Sequence, residues 1–279
     1  MVKGRLTILA DNVVAGKVDS LGEHGFSAFI EIDQEHYLFD TGRGGTIVHN
    51  ATAYGKNLGT VNKIIISHGH PDHTGGLPAV LRFHDQIDVL GHPDIFLNRF
   101  RKEKDGAQRY NGIPFARGHL EKLGAHFVFN KDFVEVGKGV YMSGEIPRET
   151  DFESGDMGSR YGIRDGKVHP EIVLDDQCLV IQTDRGILML LGCAHSGVIN
   201  TINHVIRKTE TDKIWGIIGG THLGFLGEDQ LEKTIRSLRS YHIEHFIPAH
   251  CTGIAASIRL SREFVGIVHL SRVGMVFDF

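Results

Sequence analysis

Hydrophobic and polar positions along the chain follow two rhythms. Short apolar runs at residues 6–10, 26–32 and 37–39 read as strands, the last two joined at a hairpin tip at 34–35 with period-2 alternation around it. A helix over 46–54 and a β-branched strand over 63–67 follow. A helix over 75–83 comes next, with Thr74 placed to cap it. A second hairpin is expected from residues 178–183 and 187–191, turning at Asp184-Arg185-Gly186. Helical periodicity then runs through Val198, Ile199, Ile202, Val205 and Ile206, and again through Leu231, Ile235 and Leu238. Residues 273–279 read as a last strand, at a sheet edge or an interface.

The recurrence of strand, loop and helix implies α/β layers rather than an all-β barrel. Between about 91 and 167 the rhythm fades. Residues 99–108 are charge-rich and 154–166 are loaded with Gly and Asp, so an insertion or lid is expected here, with Asp156, Arg160 and Arg164 on it. No low-complexity linker interrupts the chain, and one domain over 1–279 is the simplest reading.

Composition changes this picture in two respects. The 279 residues include 18 His, more than the 16 Phe, and 35 Gly, well above the usual share of about 7%. Together they suggest metal chemistry on tight loops. The net charge of −4 argues against a surface that coats nucleic acid or hugs membranes. Cys178, Cys193 and Cys251 are odd in number and widely spaced, unlike a secreted disulfide framework. The apolar stretch near the start is broken by Asp11, and the run 187–191 is far short of the roughly 20 residues that span a bilayer. A cytoplasmic protein with no membrane partner is expected.

The chemistry sits where apolar strands end in histidine. His68-Gly69-His70-Pro71-Asp72-His73, Gly192-Cys193-Ala194-His195, Thr221-His222 and Ala249-His250 each follow such a run. Loops beyond the carboxyl ends of strands are where α/β sheets bind ligands. One strand-end histidine is commonly a structural residue, but four on one template are hard to assign to chance. Three imidazoles and a carboxylate within residues 68–73 are too many ligating groups for one rigid element to aim at a single ion, so this loop suits two adjacent metals. Imidazole and carboxylate donors suit Zn, Fe or Mn. Two divalent ions roughly 3.5–4 Å apart can acidify a bound water and clamp a displacement, so no Ser/His/Asp arrangement is required.

The segment His68-x-His70-x-Asp72-His73, preceded by Leu38-Phe39-Asp40-Thr41-Gly42, resembles the metallo-β-lactamase superfamily. Shorter segments resemble one branch of it: Asp11-Asn12, Glu23-His24-Gly25-Phe26-Ser27, Pro147-Arg148-Glu149-Thr150, Asp175-Asp176-Gln177 and the loops at 192–197 and 248–253. That branch contains synthases that join a dihydropterin to ribofuranosylaminobenzene 5′-phosphate with loss of pyrophosphate. The resemblance implies a four-layer αββα sandwich with two divalent ions, Zn first. His68 and His70 would bind one ion, and Asp72, His73 and His250 the other, with His195 the best remaining ligand. In the superfamily an Asp commonly bridges both ions, and the 192–195 loop has no carboxylate. Either Cys193 bridges as a thiolate, or it is a small buried thiol beside the site and only solvent bridges.

Asp40 is expected to hold a ligand imidazole by its outer N–H, with Asp11 a weaker candidate of the same kind. Asp72 and His222 are the candidate catalytic groups, although His222 reads equally as a ligand or a structural residue. For an anionic substrate the candidates are Arg43, in a glycine-rich turn over 42–45 whose amides suit an anion, and Arg148. The leading reading is a hydrolase-type dinuclear metal enzyme acting on a small phosphorylated or ester substrate. A pterin-coupling synthase is the alternative, followed by a di-iron redox protein or a non-catalytic metal- or ligand-binding module. A nuclease is disfavoured by the charge, and oligomeric state is unreadable.

Overall fold

The computed structural model describes residues 2–16, 19–103, 105–153 and 160–279, and Asp156 lies outside them. In chain order, β1 (Gly4–Ala10), β2 (Ser27–Ile32), β3 (Glu35–Phe39), α1 (Ile47–Ala53), β4 (Lys63–Ile65), α2 (Pro71–Thr74), α3 (Leu77–Leu81) and β5 (Ile87–Gly91) come first. They are followed by β6 (Asn98–Lys102), β7 (Gln108–Tyr110), α4 (Arg117–Lys122), β8 (Ala125–Phe129), β9 (Val134–Gly137), β10 (Val140–Met142), β11 (Arg160–Arg164) and β12 (Lys167–Pro170). The last third holds β13 (Cys178–Thr183), β14 (Gly186–Leu191), α5 (Val198–Thr209), β15 (Lys213–Gly220), α6 (Glu228–Leu238), β16 (His242–Ala249), α7 (Gly253–Glu263) and β17 (Val276–Asp278).

Strands β17-β1-β2-β3-β4-β5-β8 form one sheet and β16-β15-β14-β13-β10-β9 a second. Leu6, Ile8, Ile30 and Phe39 of the first sheet meet Leu179, Ile181, Leu188, Leu190 and Ile218 of the second in a shared core. Alternation sends Leu38, Ile64 and Val89 to the opposite face, where α1, α3 and α4 cover them. Likewise Val180, Met189 and Ile217 turn outward under α5, α6 and α7. Both faces of β14 are therefore buried, which is why its sequence is a continuous apolar run rather than an alternating one. The result is the expected four-layer αββα sandwich. Residues 91–167 divide: β8 completes the first sheet and α4 packs on it, β9 and β10 complete the second, while β6, β7, β11 and β12 pair as a small separate sheet.

Three local expectations are corrected. The first hairpin turns at 33–34, one residue early, because Asp33 takes the left-handed conformation with φ 53°. The helix expected over 75–83 is shortened to α3, with α2 a separate turn ahead of it. At Gly75 and Gly76 the chain passes so close to the 41–43 turn that an added Cβ would lie 2.2 Å from the Arg43 carbonyl oxygen and 2.1 Å from that of Thr41. Thr74 does not cap the later helix, since its hydroxyl donates back to the His70 carbonyl at 2.9 Å. The last strand, β17, lies at a sheet edge, paired antiparallel to β1.

Candidate metal centre

Strands β14, β15 and β16 run parallel, so their carboxyl ends abut and deliver His195, His222 and His250 to one edge of the sandwich. The 66–73 loop after β4 arrives from the facing sheet. Four residues here bend the wrong way for an ordinary side chain: Asp40, Ala194, His222 and His250 have φ of 56°, 52°, 59° and 47°. Each such conformation costs of order 1–3 kcal/mol, and strain of this kind gathers at functional sites.

The hydrogen bonds fix how the imidazoles face. Ser67 spends its single hydroxyl proton on Asp40 Oδ2 at 2.7 Å, so His68 Nδ1, 2.9 Å from Ser67 Oγ, must be the donor to that hydroxyl oxygen. That leaves His68 Nε2 as a buried lone pair with no hydrogen-bond partner among the described residues. His73 Nδ1 donates to Asp40 Oδ2 at 2.7 Å, turning its Nε2 toward Cys193 Sγ at 3.2 Å. Gly25 N donates to Asn12 Oδ1, so this oxygen also accepts from His250 Nδ1 at 2.9 Å. His250 Nε2 then faces Asp72 Oδ2 at 3.2 Å, a contact that either a ring proton or a metal ion between the two satisfies. His70 Nδ1 and His195 Nε2 lie 3.1 Å apart.

Donor atoms within 4.8 Å of one another group as His68, His70 and His195; as His68, His73 and Cys193; as Cys193, His195 and His222; as Cys193, His250 and Cys251; and as His24, Asp72 and His250. The inward lone pairs and the mixed nitrogen, sulfur and carboxylate donors fit divalent metal ions. Burial, reinforced by His73, holds His68 well below the usual histidine range. Burial does the same to His70, with Arg160, and to His195, with His222, so these imidazoles are neutral and ready to ligate. Burial also opposes a charge on His73, but Asp40 and Asp72 outweigh it and raise the group to about 9. Asp72 is held well below the carboxylate range because His73, His24 and His250 together overcome its burial.

Asp11 accepts from the backbone N–H of His250 at 3.2 Å and from Asn12 N at 2.6 Å, holding the strained turn rather than an imidazole. Arg148 does not reach the site. Its guanidinium donates to the His195 carbonyl at 2.6 Å and to the Ile172 carbonyl, bracing the 193–196 loop from behind. The glycine-rich turn does cradle an anion, but the anion is the chain's own: Glu23 accepts from Arg43 N at 2.9 Å, Gly44 N at 3.3 Å and Gly45 N at 2.9 Å. The Arg43 side chain remains on the cavity wall.

That cavity, about 270 Å³, is lined by His70, Asp72, His195, His222 and Cys193. Arg101, Arg109, Tyr110 and Arg160 of the small sheet, with Glu103, line it as well, and Arg160 Nη1 lies 3.4 Å from His70 Nε2. His24, Cys251, Arg101 and Arg109 escaped the sequence reading. His24 was visible only inside a short resemblance segment, and the arginines lie in a stretch without periodicity.

Residues 22–198 match the family described as the metallo-beta-lactamase superfamily. The chain belongs to this superfamily. It is 27% identical, over 99% of its length and 96% of the relative's, to 7,8-dihydropterin-6-methyl-4-(beta-D-ribofuranosyl)-aminobenzene-5'-phosphate synthase of Methanocaldococcus jannaschii. An uncharacterized protein of the same archaeon is 33% identical over 92% of this chain and 94% of its own. Among solved structures, Tm1679, a metal-dependent hydrolase of the beta-lactamase superfamily, superposes with a TM-score of 0.83 at 27% identity, covering 99% of both chains. The chain is thus a metal-dependent enzyme of the hydrolase or transferase kind. No helix among the described residues is long and apolar enough to cross a membrane.

Proposed function

We propose that this enzyme is a hydrolase-type catalyst with a dinuclear metal site, acting on a small phosphorylated or ester-linked substrate. The observation that carries the reading is the composition of one cavity, where Arg43, Arg101, Arg109 and Arg160 face the histidine array. Guanidinium groups bind phosphate oxygens with paired, charge-assisted hydrogen bonds. His68, His70 and His195 would hold one ion, and Asp72, His73 and His250 the other, with His24 beside them. Zinc is the first expected metal, with iron or manganese as alternatives. Such a pair supplies Lewis acidity and a water acidified to near neutral pKa. Asp40, Ser67, Asn12 and Asp11 keep the ligand rings and the His250 turn in place. Asp72 and His222 line the cavity; His222 is the group assigned to give a proton to the departing oxygen. The substrate is read as an anionic small molecule met in the cytoplasm, with neither nucleic acid nor membrane as partner.

A second reading, a transferase that displaces pyrophosphate, is favoured by the likeness to the archaeal synthase along nearly the whole chain. Tyr110 and Phe225 on the cavity wall offer aromatic surface for a pterin or aminobenzene ring. The test is turnover by metal-stripped and zinc-restored protein on phosphomonoester, phosphodiester, thioester and lactone substrates, and on a dihydropterin diphosphate with an aminobenzene riboside phosphate. Restored turnover confined to phosphate-bearing substrates supports hydrolysis. Pyrophosphate released only when both pterin and amine are present supports the transferase. Equal turnover of neutral esters would overturn the assignment of the arginine wall.

A further inference from the structure

The 192–195 loop offers no carboxylate to bridge two ions, yet it puts a sulfur at the junction of the donor array. Cys193 Sγ lies within 4.8 Å of donors from His68 and His73, from His195 and His222, and from His250 and Cys251. It is thus grouped with residues assigned to both ions. Independently, His68, a member of one of these groups, carries at Nε2 a buried lone pair with no hydrogen-bond partner among the described residues.

The surroundings hold that loop in place and leave no room to spare. The left-handed Ala194 brings Cys193 and His195 to the same cluster. Asp176 Oδ2 accepts from Ser196 N at 2.8 Å. At Gly220 an added Cβ would lie 2.5 Å from Cys251 Sγ and 3.2 Å from Cys193 Cα, so only glycine lets the two cysteine turns approach.

We propose that Cys193 is a thiolate ligand shared by both ions, standing where a bridging carboxylate would otherwise be; this rests on the dinuclear reading above. On binding, the S–H bond is exchanged for two metal–sulfur bonds and the proton leaves to solvent. A soft sulfur at the shared position biases the site toward zinc or iron over manganese or magnesium.

The test is zinc-edge X-ray absorption of zinc-loaded wild-type protein, with metal content measured on the same sample. Two zinc per chain and one sulfur per zinc at about 2.3 Å are expected. Cys251→Ser should keep that count, and Cys193→Asp, which installs the carboxylate, should bind two zinc with no sulfur; either variant alone attributes the sulfur. Two zinc with half a sulfur each, with none, or with sulfur that survives Cys193→Asp would overturn the bridge while leaving the dinuclear site standing. Fewer than two zinc would overturn both.

Discussion

The Asp40 carboxylate lies 2.7 Å from His73 Nδ1, and neither side chain is exposed to solvent. The same carboxylate accepts from Ser67 N and Ser67 Oγ, each at 2.7 Å, and through Ser67 it sets the proton of His68. One buried acid therefore orients two imidazoles, one assigned to each ion. Asp40→Asn removes the charge but keeps the shape. It should weaken metal binding by roughly 10–100-fold, as read by competition with a chromophoric chelator. Unchanged affinity would mean that Asp40 only shapes the turn.

The arginine wall predicts a split in kinetics. Arg101 and Arg109 lie on the small sheet and line the same cavity as the histidine donors. Arg101→Gln or Arg109→Gln should raise KM for a phosphorylated substrate by about tenfold, the worth of one charged hydrogen bond of ~1.5 kcal/mol. The kcat should move little, and KM for the dephosphorylated analogue should stay put.

The buried histidines predict how the metal-free protein responds to pH. His68, His70 and His195 are held below their ordinary value of 6.5, so below about that pH the unfolded chain takes up protons that the folded chain refuses. Stability should fall as pH drops through about 6.5. His73 has the opposite sign: raised to about 9, it contributes fully below 6.5 and loses that contribution as pH rises through about 9. Urea melts of metal-free protein should therefore give greatest stability near neutral pH. A steady rise from pH 7 to 10 would contradict the protonated His73.

Gly192 predicts a steric limit. An added Cβ would lie 2.1 Å from Ser67 Oγ and 3.2 Å from Asp40 Oδ2. Gly192→Ala should cost about 1–3 kcal/mol in a denaturant melt and lower metal affinity with it, because the serine that relays Asp40 to His68 must move.

Much of this was legible in the chain because the information is local. The run 187–191 reads as the second strand of a hairpin, and each apolar run that ends in histidine marks a strand end near a ligand edge. Asp40 stands at the end of β3, where a turn and an imidazole partner coincide. What escaped depends on long-range folding. The small sheet that carries Arg101 and Arg109 has little apolar rhythm, and nothing in the sequence says that it folds across the histidine loops. Arg148 looks like a substrate arginine until its donors meet the His195 and Ile172 carbonyls. The glycine-rich turn looks open to phosphate until Glu23, twenty residues away, fills it.

The dinuclear proposal places metal at two adjacent positions in the histidine array. Its most direct test is elemental analysis of protein purified without added metal, beside His68→Ala prepared in parallel and shown by circular dichroism to be folded. Two equivalents of metal per wild-type chain, falling in the variant, are predicted. A folded wild-type chain that carries one equivalent or none, and gains no second on incubation with zinc, would contradict the account.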